Sequence, residues 1–219
     1  MKRMQTRVVT LAMAALAACA WAGTAQAGII LMVEQSLGDI LGPSPKGIGT
    51  VESTVMNAGN LKATVYSQAY TDGDGLYAYL YQVANTGVLG NSPVEMFTAW
   101  PFTGANDSTV MGYLSGTIPA GFLSDGRVPE DEGFIEELIS GPELSFYYTK
   151  KAGHKIDVGQ HSVIMYVVSN LAPDWITGNV IDGSVGSGPV VGPIPEPATL
   201  CLMGMGLLAT ALLRRRRGK

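Results

Sequence analysis

The chain has 219 residues, and its charges are unevenly placed: the middle, residues 28–194, carries six basic residues against seventeen acidic, a net charge of −11, while the remaining eight basic residues sit in the two ends. Both cysteines, Cys19 and Cys201, also lie in the ends. This excludes a disulfide-stapled fold, a cysteine-ligated zinc module, a cysteine nucleophile and a basic nucleic-acid-binding surface for the middle.

Residues 1–27 read as a signal peptide with an N-terminal signal helix. Lys2, Arg3 and Arg7 form a charged start, residues 8–22 are apolar, and Ala25-Gln26-Ala27 is a small-x-small cleavage site that leaves Gly28 as the new N-terminus. The apolar run is shorter than the roughly 20 residues a retained helix needs. Leu16-Ala17-Ala18-Cys19 resembles a bacterial lipobox, but the complete site at Ala25 and Ala27 is the preferred reading.

Residues 28–182 are long enough for one domain that buries close to 70% of its unfolded surface without staples. Glycine supplies 24 of residues 28–194, falling between short alternating runs, the pattern of an all-β domain. Strands are expected at 29–34, 48–56, 61–71, 76–85, 94–100, 109–115, 144–149 and 162–169. The clearest unit is the hairpin of 61–71 and 76–85, two alternating runs joined by Asp72-Gly73-Asp74-Gly75. Eight strands predict an antiparallel β-sandwich, with a jelly-roll-like winding as a variant. One short helix is expected at 129–139, where Phe134, Ile135, Leu138 and Ile139 stand at helical spacing, Pro129 fits the first position, acids follow it, and Gly141-Pro142 ends the run.

No constellation in this middle demands an enzyme. Asp72 and Asp74 in a glycine loop could ligate calcium, but the further oxygens and bidentate glutamate of such a loop are missing, so a turn is the expected role. His154 and His161 are the only histidines and lack a nucleophile elbow, which favours structural roles. Glu130, Asp131, Glu132, Glu136 and Glu137 crowd one segment, as a solvated face does; paired glycosidase carboxylates are the alternative. Tyr66, Tyr70, Tyr77, Tyr79 and Tyr81 keep even spacing within each hairpin strand. They either fill the core or, at Tyr77, Tyr79 and Tyr81, stack on sugar rings. No metal site and no cofactor is expected.

Residues 183–194, with four glycines and no charge, read as a flexible linker. The last segment, residues 195–219, holds Pro195, Glu196 and Pro197, then sixteen uncharged residues (198–213), then Arg214, Arg215, Arg216 and Arg217. A transmembrane helix of sixteen residues spans about 24 Å, short of a hydrocarbon core of about 30 Å. The arginines mark the cytoplasmic side, placing the acidic middle outside the inner membrane. The two prolines hold the junction extended and strip it of backbone donors.

Pro-Glu-Pro, a short Gly/Leu/Ala/Met helix and an arginine cluster, in that order, resemble the PEP-CTERM sorting signal of bacterial exported proteins. The resemblance covers about 25 residues. It implies recognition of Pro195, Glu196 and Pro197 by an exosortase, a membrane-embedded cysteine transpeptidase, and association with exopolysaccharide production. Residues 75–87, 158–175 and 180–183 are also similar to segments of exported PEP-CTERM proteins with β-rich middles, a likeness of fold that transfers no catalytic residue. The expectation is therefore a non-enzymatic protein, exported across the inner membrane, held there by its C-terminal helix and then sorted to the cell surface or extracellular matrix. A secreted carbohydrate-binding or polysaccharide-hydrolysing protein is the alternative.

Overall fold

The computed structural model describes residues 32–103, 110–124, 132–138, 141–148 and 155–194. They form eleven strands and one helix: β1 (Met32–Gln35), α1 (Leu37–Leu41), β2 (Lys46–Ala58), β3 (Leu61–Thr71), β4 (Tyr77–Asn85), β5 (Met96–Trp100), β6 (Met111–Leu114), β7 (Glu132–Leu138), β8 (Gly141–Tyr147), β9 (Met165–Ser169), β10 (Pro173–Ile181) and β11 (Val185–Pro193). Six strands make one sheet in the order β1-β6-β9-β4-β3-β2, and five make a second in the order β11-β10-β5-β8-β7. All pairs are antiparallel except β1 with β6. The all-β sandwich expected from the alternating runs is thus the architecture. Its winding alternates between sheets from β4 to β7, whereas β2, β3 and β4 form a meander within the first sheet.

The hairpin forms because its two runs alternate and its turn closes cheaply. Gly73 and Gly75 take positive φ of 92° and 99°, which glycine adopts without a Cβ penalty. Asp72 Oδ1 accepts from the Asp74 and Leu76 amides at 2.7 and 3.0 Å. Those bonds hold its carboxyl below the usual carboxylate range, the Asp74 amide contributing most. Asp72 is therefore spent on its own turn, as expected of an Asx residue.

The central strands of the first sheet, β3, β4 and β9, are buried on both faces. Met56, Val65, Ala69, Tyr79, Tyr81 and Val83 meet Phe97, Ala99, Leu144, Phe146, Ile176, Val180 and Val190 of the second sheet in one core. Tyr81 lies 5.3 Å from Phe97 between ring centroids, and Phe97 stacks on Phe146 at 6.5 Å. On the opposite face, Leu80, Ile164, Tyr166 and Phe122 form a smaller cluster, covered by Leu37 and Ile40 of α1. α1 is short but closed at its start: Ser36 Oγ accepts from the Asp39 amide at 3.2 Å, and Asp39 Oδ2 accepts from the Ser36 amide at 3.1 Å.

Two expectations fail here. The helix predicted at 129–139 is a strand over 132–138, paired with β8 from Glu132↔Tyr147 to Leu138↔Gly141. Seven residues containing Gly133 are too few to sustain a helix alone, and the neighbouring run 141–147 offers a backbone partner for every residue. Gly141 and Pro142, read as a helix stop, instead begin β8, with Pro142 beyond the stretch that bonds to β5. The second failure is the linker of 183–194. Residues 185–193 are β11, paired with β10 over nine residues from Pro173↔Pro193 to Ile181↔Val185. The one short helix of the described residues is α1, at a place where only loop was expected.

Among the described residues no helix is long and apolar enough to cross a membrane. The signal helix, the C-terminal helix expected at 198–213, and His154, Glu130 and Asp131 lie outside the described residues.

Candidate functional site

The residues marked for function fall into two groups, those the described fold holds and those that follow β11 in the sequence. Tyr79 and Tyr81 belong to the first. Both are fully buried; the Tyr79 hydroxyl donates to the Leu171 carbonyl at 2.6 Å, and the Tyr81 hydroxyl to the Val191 carbonyl at 2.7 Å. Burial pushes both phenols well above their ordinary pKa, each further raised by the neighbouring tyrosine of the stripe. Tyr77 packs, partly buried, on the same core, and Tyr66 and Tyr70 on the smaller cluster. The sugar-stacking alternative is thereby corrected at Tyr79 and Tyr81, because a ring enclosed between two sheets offers no face to a ligand, while Tyr77 keeps part of its surface exposed.

His161 is tied to its neighbours: its Nε2 lies 2.8 Å from the Ser124 carbonyl, and its backbone bridges to Ala84. The loop it touches is held more firmly by Gln82, a fully buried side chain. Gln82 Nε2 donates to the Leu123 and Ser162 carbonyls at 3.0 and 3.1 Å, and Oε1 accepts from the Leu123 amide at 2.8 Å. Glu132, Glu136 and Glu137 lie on β7, an edge strand of the second sheet. Among the described residues, no three His, Cys, Asp or Glu side chains stand close enough to hold a metal ion.

The second group converges on the end of β11. Its glycines serve close packing rather than freedom. A Cβ on Gly186 would lie 3.0 Å from the Met56 backbone, one on Gly188 2.4 Å from Thr54 Cγ2, and one on Gly192 2.1 Å from Ile176 Cδ1. β11 is therefore pressed onto β2 of the other sheet and onto its own neighbour β10. Side chains of the first sheet then clamp it: the Thr54 hydroxyl donates to the Pro189 carbonyl at 2.6 Å, Ser67 Oγ accepts from the Val191 amide at 3.1 Å, and Tyr81 holds the Val191 carbonyl. The Thr103 hydroxyl donates to the Pro193 carbonyl at 3.0 Å, and the Ile194 amide donates to the Ala172 carbonyl at 3.2 Å. Ile194 also packs against the main core. The folded body thus holds the chain through Ile194, and Pro195 follows with no intervening residue.

Pro195, Glu196, Pro197, Arg214, Arg215, Arg216 and Arg217 lie outside the described residues, as do Ala25, Ala27 and Gly28. Residues 193–217 match the family described as the PEP-CTERM protein-sorting motif. No curated protein and no solved structure matches the chain significantly. What sequence reasoning missed is the strand leading into this motif. Its signal was the alternation of Gly186, Gly188 and Val190 on one face, opposite Val180, Gly178 and Ile176 of β10, masked by a composition that reads as a tether.

Proposed function

From a chain that carries the PEP-CTERM protein-sorting motif over residues 193–217, we propose a non-enzymatic exported protein. It is sorted by an exosortase and ends in the cell surface or exopolysaccharide matrix. The observation that carries this reading is the position of the motif: the sandwich holds the chain at Ile194, and the recognition segment begins at the next residue. Pro195 and Pro197 keep that segment extended and poor in backbone donors, a form that suits a peptide-binding groove. The uncharged run 198–213 with its four arginines supports a short-lived membrane stop, with the arginines on the cytoplasmic side. The N-terminal leader supports export by the same route.

The sandwich then serves as cargo. Its surplus of acid, −11 over residues 28–194, favours solubility and mutual repulsion outside the membrane. Tyr79 and Tyr81 are spent on the core, which supports a structural or matrix role over sugar binding through those two rings. The test is mass spectrometry of the mature protein from its host. In cells with the sorting enzyme, the recovered chain lacks Lys219 and starts at Gly28; in cells without it, or with Glu196→Ala, the C-terminal segment stays attached and the protein stays in the membrane fraction. A wild-type chain recovered only with Lys219 in place overturns the reading.

A further inference from the structure

We infer that, before processing, the sandwich sits with one particular end against the bilayer surface, Trp175 being its interfacial side chain. The inference rests on the sorting reading above and adds an interaction surface to it. Three residues, Pro195, Glu196 and Pro197, separate Ile194, the last of the described residues, from Ala198, where the uncharged run begins, a distance of four residue steps. At about 3.3–3.6 Å per residue, that chain reaches at most about 14 Å even when fully extended. With the run lodged in the membrane, the end of the sandwich carrying Ile194 has nowhere to be but at the headgroup layer.

The fold defines that end. Ile194 bonds to Ala172, Tyr79 bonds to Leu171, and Tyr77 pairs with Ser169. The Val168 amide donates to the Val110 carbonyl, and Met111 pairs with Met32, so the described N-terminal strand starts at the same end. Met32 and Ile194, the described residues nearest the two ends of the chain, therefore lie on one side of the sandwich. Trp175, paired with Val191 two residues before Pro193, is half-exposed there. An indole with an apolar body and one donor is the side chain that favours the membrane–water boundary. The opposite end holds the turns near Gly59, Leu89 and Ser184. It exposes Leu89 fully and Val88 and Val185 in large part. It is more apolar, but the nine residues of β10 put it about 30 Å farther away, out of the tether's reach.

Charge does not drive this contact. Asp72, Asp74 and Asp174 stand at the docking end with Lys46, so attachment is expected to be insensitive to salt. The experiment uses the chain from Gly28 to Lys219 reconstituted in phosphatidylcholine vesicles whose acyl chains carry bromine. Flotation with the vesicles tests the membrane reading; bromine quenching of tryptophan emission tests the docking. The expected result is co-flotation, quenching that persists in high salt, and loss of the quenched component in Trp175→Phe. Leu89→Trp placed in the Trp175→Phe chain stays unquenched. A chain that floats but shows the same quenching with and without Trp175 overturns the inference alone, as does quenching at Leu89→Trp. A chain that fails to float removes the membrane stop, and the docking with it.

Discussion

Tyr79 and Tyr81 have no room for a phenolate. Both rings are enclosed between the sheets with their hydroxyls on backbone carbonyls, and burial raises both pKa values above the unfolded value near 10. A folded pKa above the unfolded one means stability is fully present below about pH 10 and is lost as pH rises beyond it. The double variant Tyr79→Phe/Tyr81→Phe is therefore expected to lose about 1 kcal/mol per hydroxyl near neutral pH yet to decline less steeply above about pH 10. Urea denaturation on both sides of that value checks it. The even spacing of these tyrosines made a shared face readable. Which face was enclosed was not readable, because β4 is buried on both sides and alternation carries information only when one side meets water.

At the scale of elements, β11 shows how composition misleads. Glycine is abundant in tethers because it is free and in packed strands because it is small, and a single sequence does not separate the two. The structure does, and the difference is testable. In a tether, Gly188→Val changes nothing. In β11 the added methyls meet Thr54 and Met56, and overpacking of this kind costs about 1–3 kcal/mol. A lowered midpoint of chemical unfolding is expected, with the neighbouring exposed Ser187→Val as the control of matched chemistry. β7 teaches the converse. Phe134, Ile135, Leu138 and Ile139 satisfy helical spacing, but a seven-residue segment takes the structure its neighbour offers, and β8 offers a ladder.

The sandwich closes only when β11 is in place, since that strand caps Met56, accepts hydrogen bonds from the Thr54 and Tyr81 hydroxyls and donates one to Ser67 Oγ. A chain cut after Ile194 is expected to keep the sandwich and melt cooperatively. One cut after Gly183 exposes Met56 and leaves the edge of β10 unpaired, and is expected to lose its β-type circular dichroism or aggregate. Thermal melts of the two truncations decide this. Processing at the motif is then expected to release an intact domain, because the hydrogen bonds that clamp β11 are all made at or before Ile194.

Sequence alone was enough for the features that depend on local chemistry. The asymmetric charge, the Pro-Glu-Pro, apolar and arginine succession, the Asp-Gly hairpin and the sandwich class all follow from residues close together in the chain. Tertiary structure decided what depends on distant partners: that 132–138 pairs as a strand, that the glycine run packs as β11, that the tyrosines face inward, and that the fold runs unbroken to Ile194. The reason is physical. A turn or a sorting segment is recognised by its own atoms, whereas burial is set by whatever surface folds against it.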